Sequence, residues 1–307
     1  MTDSLRKVSR LYVPMLLLLA AIWGASFMFI KVADRELEPT TLMAARILLA
    51  AVILFGILAA RCGTTLAARR LRRAGWAPLL LGVVNAALPF TLIAWGEKHV
   101  DSGVAAIANA SMPIFVALLA LRFQRSERSS GLRLFGILLG LAGVAVLAGV
   151  HPRGGWWAVV GTLAVILASI LYAVGSLWAQ RLVQREEALV LTTATMIGGA
   201  LALLPFGLAQ LPGSVPGWKV IGSVVALGVA GTAIGQLIYY ALLDTAGSAR
   251  ASLVTYLLPV TALFYGAGLL GEPITVEELV GLVLILGGVA LGSGLVRFAR
   301  REPAPAA

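Results

Sequence analysis

The stretch LYVPMLLLLAAIWGASFMFI, residues 11–30, decides the fold class, because it contains no Asp, Glu, Lys or Arg. A helix that spans the hydrocarbon core of a bilayer needs about 20 mostly apolar residues. The chain has nine more long runs of this kind, and Arg46 interrupts the second of them. The ten predicted spans are residues 11–30, 39–60, 74–96, 102–121, 134–150, 154–180, 188–206, 218–243, 251–271 and 279–296.

The composition of the whole chain agrees with this interpretation. Of its 307 residues 60% are hydrophobic and only 12% are charged, whereas a soluble domain carries about a quarter of charged residues. A transmembrane barrel would show short segments that alternate apolar and polar residues, but these runs are continuously apolar. We therefore predict an all-α membrane protein with ten transmembrane helices.

The basic residues explain the net charge of +10 as an orientation signal. With the N-terminus in the cytoplasm, 18 of the 24 Lys and Arg residues fall in cytoplasmic loops and four in outer loops. Cytoplasmic loops of membrane proteins are enriched in Lys and Arg. The pattern predicts both termini in the cytoplasm and gives no reason to expect a nucleic-acid partner.

Residues suited to metal or cofactor chemistry are scarce. Cys62, His99 and His151 are the only Cys and His residues, too few for a disulfide, a zinc site or a conventional catalytic dyad. No Gly-x4-Gly-Lys-Ser/Thr phosphate-binding loop occurs either. We expect no metal, no cofactor and no ATP-driven pumping by this chain.

The sequence repeats itself when Pro113 is aligned with Pro259, an offset of 146 residues. This alignment predicts two five-helix repeats, residues 1–150 and 151–307. Because five is odd, the second repeat must enter the membrane in the opposite orientation. The loop at residues 122–133 carries four Arg, whereas its counterpart at residues 271–278 carries three Glu and no Arg. This exchange of charge is what two inverted repeats require.

Several motifs together resemble one known family. They are Trp23-Gly24-x-Ser26-Phe27 with Lys31, then Arg46, then the Pro113 and Pro259 segments followed by Glu127 and Glu272 and by Gly-rich final helices. This ordered set resembles the EamA-type members of the drug/metabolite transporter superfamily over nearly the whole chain. The resemblance implies a secondary transporter, in many members an exporter of amino acids or other small metabolites, with a central cavity between the halves. Our main hypothesis is therefore an inner-membrane exporter of such metabolites that works by alternating access.

Two cations lie near the interior of predicted spans. Lys31 ends the first span, and Arg46 lies about 10 Å into the second. Either both side chains snorkel toward the outer face, or they lie at a cavity mouth, where they attract a carboxylate.

No Asp or Glu lies near the centre of a predicted span. We therefore expect no buried carboxylate to carry a proton, and a flux that is passive or weakly coupled to protons. The hypothesis of a multidrug carrier for cations is weakened, because such a carrier needs a membrane carboxylate to exchange a proton for the drug. A nucleotide-sugar or sugar-phosphate carrier is disfavoured because no Lys or Arg lies between Arg250 and Arg297. A polytopic membrane enzyme and a channel are the remaining rivals, but neither has a motif here.

Pro113 and Pro259 each leave the carbonyl of the residue four positions earlier without its helical donor. Those residues are Asn109 and Thr255, which are equivalent under the offset of 146. We expect two polar turns that face each other at mid-membrane and bind substrate, although proline also kinks helices that merely pack.

Polar and aromatic residues at the same depth complete the expected cavity lining. The predicted substrate-binding residues are Trp23, Ser26, Asn85, Pro89, Asn109, Pro113, Tyr172, Ser176, Gln236, Tyr239, Thr255, Tyr256 and Pro259. The Gly-rich stretches Gly136-x3-Gly140 and Gly288-x3-Gly292 favour close helix packing, either in a scaffold or in a homodimer.

Reporter fusions test the predicted topology. Fusions at both termini and in the loops at Arg69 and Arg125 should report a cytoplasmic location, and a fusion in the loop at Glu277 an outer one, because basic loops stay inside. Reporters at Arg125 and Glu277 that give the same side would contradict the inverted repeat.

Overall fold

A computed structural model gives the fold, and it describes residues 2–123, 131–149, 155–183, 187–246 and 254–292. All regular secondary structure within these ranges is helical. The helices are α1 Thr2–Ala33, α2 Pro39–Cys62, α3 Thr64–Ala74, α4 Ala77–Glu97, α5 Ser102–Asn109, α6 Met112–Phe123, α7 Gly131–Gly149, α8 Trp156–Val183, α9 Ala188–Ala209, α10 218–246, α11 Val254–Leu270 and α12 Val276–Gly292.

Six of the described helices, α1, α2, α4, α8, α9 and α10, contain stretches long and apolar enough to cross a membrane. Shorter apolar stretches follow at Ser102–Val116, Leu134–Leu147 and Val254–Leu270. The prediction of an all-helical membrane protein is therefore confirmed. The count of ten crossings stays a prediction, and the loop with Arg125 and Glu127 lies outside the described residues.

The predicted span at residues 102–121 is interrupted between α5 and α6. The Ser111 hydroxyl donates to the carbonyl of Ala108 at 2.6 Å and closes the last turn of α5. Pro113 then lies in the first turn of α6, where a missing N–H costs nothing because that donor has no helical partner. The chain thus ends one helix and starts another, where a continuous span was expected.

The basic segment after α2 forms a separate short helix, α3, in place of the expected loop. Glycines with positive φ bound it, Gly63 at 83° and Gly75 at 76°, a conformation that favours glycine. Arg70 of α3 pairs with Glu187 just before α9 at 2.8 Å, and both side chains are substantially exposed. The basic face of α3 therefore lies at a protein surface.

The centre of the structure is α2, whose Leu42, Met43, Ile47 and Leu54 are all fully buried. This helix packs along α9. The buried hydroxyls on α9, among them Thr193, donate to carbonyls four residues earlier in the same helix. Polar side chains that bond their own helix can be buried in an apolar interior without a partner from another helix.

Glycines let α7 and α12 pack with their backbones almost in contact. A Cβ atom on Gly288 would lie 2.4 Å from the Gly140 nitrogen and 2.6 Å from the Gly136 carbonyl oxygen. The Gly-rich faces are therefore used inside the chain, which agrees with the scaffold interpretation; the homodimer stays a prediction.

A pair of neighbouring glycines tests this contact. Gly288→Ala should destabilise the protein by about 1–3 kcal/mol, because the added methyl group must push α7 away from α12. Gly287→Ala is the control, since its Cβ would lie 3.7 Å from the nearest atom, a Leu139 methyl carbon. Thermal unfolding in detergent, followed by tryptophan fluorescence, should rank Gly288→Ala well below both wild type and Gly287→Ala.

Candidate functional site

A widened, π-helical stretch at Leu227–Ile234 in α10 brings its backbone against α1. The Trp23 indole nitrogen donates to the Gly231 carbonyl at 3.0 Å. A Cβ atom on Gly231 would lie only 2.8 Å from the Ser26 hydroxyl oxygen, so glycine permits this approach. Single π-helical stretches inside α-helices are frequent at functional sites.

Arg46 of α2 is buried, with 6% of its surface exposed. Its Nε donates to the Thr232 hydroxyl at 2.9 Å, and that hydroxyl donates to the Leu227 carbonyl at 2.9 Å. The guanidinium carbon lies 4.1 Å from the centre of the Phe90 ring. A charge-assisted hydrogen bond and a cation–π contact therefore hold this cation in the interior. The expectation that Arg46 snorkels to the outer face is wrong, because its head group is covered by α4 and α10.

Two aromatic pairs lie next to this cation. Phe90 meets Tyr172 of α8 edge to face with ring centres 6.2 Å apart, and Trp23 lies 5.6 Å from Tyr239 of α10. All four side chains are half-buried. The structure thus brings three predicted site residues, Trp23, Tyr172 and Tyr239, to one region around Arg46. The sequence analysis did not select Phe90, although an aromatic residue directly after Pro89 was a usable signal.

A second π-helical stretch, Val83–Ala87 in α4, carries Asn85. A Cβ atom on Gly175 would lie 2.5 Å from the Asn85 amide oxygen, so Asn85 packs directly on the α8 backbone. Pro89 follows in the next turn and is buried. The predicted residues Ser26 and Ser176 donate to carbonyls of their own helices, at Ile22 and Ala173, so their hydroxyls already have acceptors.

The two prolines that are equivalent in sequence differ in structure. Pro113 lies in the first turn of α6, whereas Pro259 lies inside α11. Asn109 ends α5, and the Ser169 hydroxyl of α8 lies 3.4 Å from its carbonyl oxygen and 3.5 Å from its side-chain oxygen. Sequence reasoning missed Ser169, because nothing in α8 alone marks it.

The remaining predicted residues lie on α10 and α11. Gln236 and Thr255 are half-buried, and Tyr256 packs against an apolar cluster that includes Ile107 and Leu263. A contact missed from the sequence joins α11 to α1. The Thr261 hydroxyl donates to the Ala20 carbonyl at 3.0 Å, and a Cβ atom on Gly24 would overlap that hydroxyl.

A polar cluster lies where α1 and α4 end. The Lys31 ammonium donates to the Glu97 carbonyl and, at 2.6 Å, to the Val100 carbonyl. Glu97 is fully buried, and its carboxylate oxygens and those of Asp34 are buried with no hydrogen-bond partner among the described residues. The expectation that no buried carboxylate exists is therefore wrong, because the helix ends that carry these acids pack together.

In the described part of the chain, no group of three or more His, Cys, Asp and Glu residues is placed to hold a metal ion. The described Cys62 is partly buried, and the His99 ring lies between Trp95 and Trp157, with ring centres 4.6 and 5.3 Å away. The chemistry that this site offers is therefore binding by one cation, hydroxyl and amide groups, and aromatic rings.

The sequence profile of the EamA-like transporter family matches the chain twice, at residues 10–149 and 159–294. Curated relatives agree. An uncharacterized transporter of Archaeoglobus fulgidus is 28% identical over 89% of this chain and 95% of its own length. The uncharacterized inner membrane transporter YedA of Escherichia coli is 28% identical over 88% of this chain and 86% of its own length.

A third relative has a more specific name, a probable amino-acid metabolite efflux pump of Salmonella typhimurium. It is 28% identical over 89% of this chain and 91% of its own length. A crystal structure matches the fold with a TM-score of 0.65 at 20% identity, covering 92% of this chain and 96% of its own. The matched family and these relatives are transporters, which confirms the predictions of family resemblance and of a transporter in place of an enzyme.

The Arg46–Thr232 contact is testable by itself. Thr232→Val keeps the shape of the side chain but removes the acceptor of a buried charged donor, which should cost about 2 kcal/mol of stability. Thr192→Val is the control, because the Thr192 hydroxyl bonds only the Ala188 carbonyl of its own helix. Thermal unfolding that shows the same loss for both variants would contradict a structural role for the Arg46 contact.

Proposed function

The chain belongs to the EamA-like transporter family, and from that premise we propose that it exports amino acids or similar small zwitterionic or neutral metabolites by alternating access. In this proposal Arg46 binds the carboxylate of the substrate. The neighbouring aromatic rings contact its side chain, and the lipid bilayer and this small molecule are the partners of the protein.

The buried guanidinium of Arg46 is the observation that carries the proposal. A charge in the interior of a membrane protein is expensive, and such residues mark substrate pathways. Among the described residues, Nε donates to the Thr232 hydroxyl, while the terminal amino groups of the planar fork donate to no acceptor. That fork matches the two oxygens of a carboxylate. A single buried cation at this level suits one carboxylate better than a doubly charged phosphate monoester.

Helix α8 supplies the second half of the proposed site. Tyr172 packs on the Phe90 ring beneath Arg46, and Ser169 contacts the oxygens of Asn109. Residues three apart in a helix share a face and lie about 5 Å apart. Tyr172 and Ser169 therefore lie on one face of α8, and Ser169 contacts the Asn109 oxygens at the C-terminal end of α5, where helix carbonyls accept. Trp23 and Tyr239 would contact the substrate side chain.

The arrangement that supports alternating access is two inverted five-helix repeats. In the proposed repeat, α1, α2, α4, α5–α6 and α7 correspond to α8, α9, α10, α11 and α12. Each contact between a helix of the first half and one of the second then has an equivalent contact with the two halves exchanged. Thus α1 packs on α10 and α11, and α8 packs on α4 and on α5–α6. The π-helical stretches Val83–Ala87 and Leu227–Ile234 also correspond under the offset of 146. The two matches of the family profile fall on the two proposed halves.

The proposed location is the inner, or plasma, membrane with both termini in the cytoplasm. The name of the Escherichia coli relative gives an inner membrane location for that protein. The excess of Lys and Arg in alternate loops supports the orientation. The name of the Salmonella relative supports amino acids as the substrate class. A multidrug, nucleotide-sugar or sugar-phosphate carrier is the alternative.

Replacing Arg46 tests the substrate assignment. Cells take up a dipeptide and hydrolyse it, which loads them with one amino acid at a time. In such cells Arg46→Gln should lower amino-acid efflux at least about tenfold, equal to about 1.4 kcal/mol of lost interaction. Arg46→Lys should recover only part of it, since a single ammonium lacks the planar fork. Efflux of the decarboxylated amine of the same substrate should not fall.

Arg61→Lys and Arg61→Gln are the matched controls, because Arg61 is exposed at the end of the same helix. Wild-type efflux of every amino acid in a folded Arg46→Gln variant would overturn the assignment.

A further inference from the structure

The acids at the junction of α1 and α4 have no place in the binding site described above. Glu97 ends α4 and is fully buried, and Asp34 directly follows α1. All four of their carboxylate oxygens are buried, and none has a hydrogen-bond partner among the described residues. A buried carboxylate without a donor is unstable in its charged form, so such a pair requires a ligand that neutralises it.

The charged groups around the pair are engaged elsewhere. Lys31, which acts electrostatically on both acids, donates to two backbone carbonyls. Lys98 pairs with Glu38 at 2.8 Å. The Glu272 carboxylate accepts from the backbone nitrogen and the hydroxyl of Ser102. Arg46 donates to Thr232. These five groups are the ones that act electrostatically on Asp34 or Glu97.

The charge balance identifies the ligand. In the substrate-free protein, with Lys98 and Glu38 neutralising each other, the negative charges of Asp34, Glu97 and Glu272 are balanced by the positive charges of Lys31 and Arg46 only in part, which leaves one negative charge in excess. One proton removes it. Two neighbouring carboxyl groups cannot both ionise at low cost, and a protonated carboxyl offers the donor that its partner lacks.

We propose that Asp34 and Glu97 share one exchangeable proton and that this pair is the site through which transport is coupled to a proton gradient. The coupling part of this proposal rests on the proposed transport function. The proton site itself does not depend on the identity of the substrate. It replaces the expectation of passive flux, which depended on the absence of a buried carboxylate.

The position of the pair supports coupling. Burial raises the pKa of Asp34 to about 8, so the proton is held at neutral pH and is lost as the pH rises through that value. Separation of α1 from α4 would hydrate both carboxyls and favour their charged forms, which releases the proton to water. The O–H bond formed on one side of the cycle is thus broken on the other, and no further reactant is needed.

Infrared difference spectroscopy of the purified protein tests the proton site without any substrate. The C=O stretch of a protonated carboxyl should disappear between pH 6 and pH 10 with a midpoint near pH 8, because burial raises the pKa of Asp34 to about 8. Asp34→Asn and Glu97→Gln should each remove or displace this transition by at least one pH unit. Glu277→Gln, at the exposed start of α12, is the control and should leave it unchanged.

The wild-type spectrum alone can overturn the proposal, so it does not depend on the folding of a variant. Absence of any carboxyl that titrates above pH 6.5 would refute a shared proton. Loss of the band on adding sodium chloride but not choline chloride would assign the pair to a metal cation instead, which also overturns it.

Everted vesicles given an equimolar mixture of the twenty amino acids test the coupling. Accumulation, read by mass spectrometry, should fall at least about fivefold when nigericin collapses the pH gradient. Asp34→Asn and Glu97→Gln should abolish the nigericin-sensitive part, and Glu277→Gln should keep it. Accumulation that is unchanged by nigericin refutes coupling to the proton gradient. Absence of any accumulation refutes the amino-acid assignment, and the infrared titration then decides the proton site.

Discussion

Every polar backbone group within a bilayer must find its partner inside the protein, and the rest of this structure follows from that constraint. The chain satisfies this constraint with helices. Its backbone departs from the regular α-helix only at places that other helices cover. The π-helical stretches of α4 and α10 and the break between α5 and α6 are such places. Each carries a polar side chain, Asn85, Thr232 and Asn109 respectively. Irregular backbone in the interior and the polar groups of the candidate site are thus one feature.

Burial of charge is handled in two opposite ways. The cation of Arg46 is held by a hydroxyl acceptor from α10 at Nε and by an aromatic face from α4, which leaves its terminal amino groups for a ligand. The carboxyls of Asp34 and Glu97 are buried without donors among the described residues. A satisfied charge is suited to stay charged and bind an ion of opposite sign, whereas an unsatisfied one is suited to change its protonation state. The first is expected of a substrate site and the second of a coupling site.

The same two helices connect these regions. Phe90 and Glu97 are seven residues apart on α4, which places them on one face about 10 Å apart. Trp23 and Lys31 have a similar relation on α1. A movement of α1 against α4 would therefore act on the aromatic contacts of the substrate site and on the cover over the carboxyls together. The backbone contacts of Gly288 with α7, in contrast, have no room for sliding and suit a fixed scaffold.

The sequence alone determined the class of protein, its helical character and its family, because apolar runs and ordered motifs are local properties of the chain. It also selected Trp23, Tyr172 and Tyr239, which the fold brings to Arg46, since aromatic residues at mid-span depth can be recognised from position. It treated Pro113 and Pro259 as equal, but the break at Ser111 separates their roles.

Only the tertiary structure decided which charges are buried and what they contact. Arg46 and Thr232 are 186 positions apart, and Lys31 reaches a carbonyl 66 positions away. The acids Asp34 and Glu97 stand at helix ends in the sequence, a place that is usually hydrated. Their burial arises from the packing of α1 on α4, and the cost of a charge depends on the surroundings that distant segments provide.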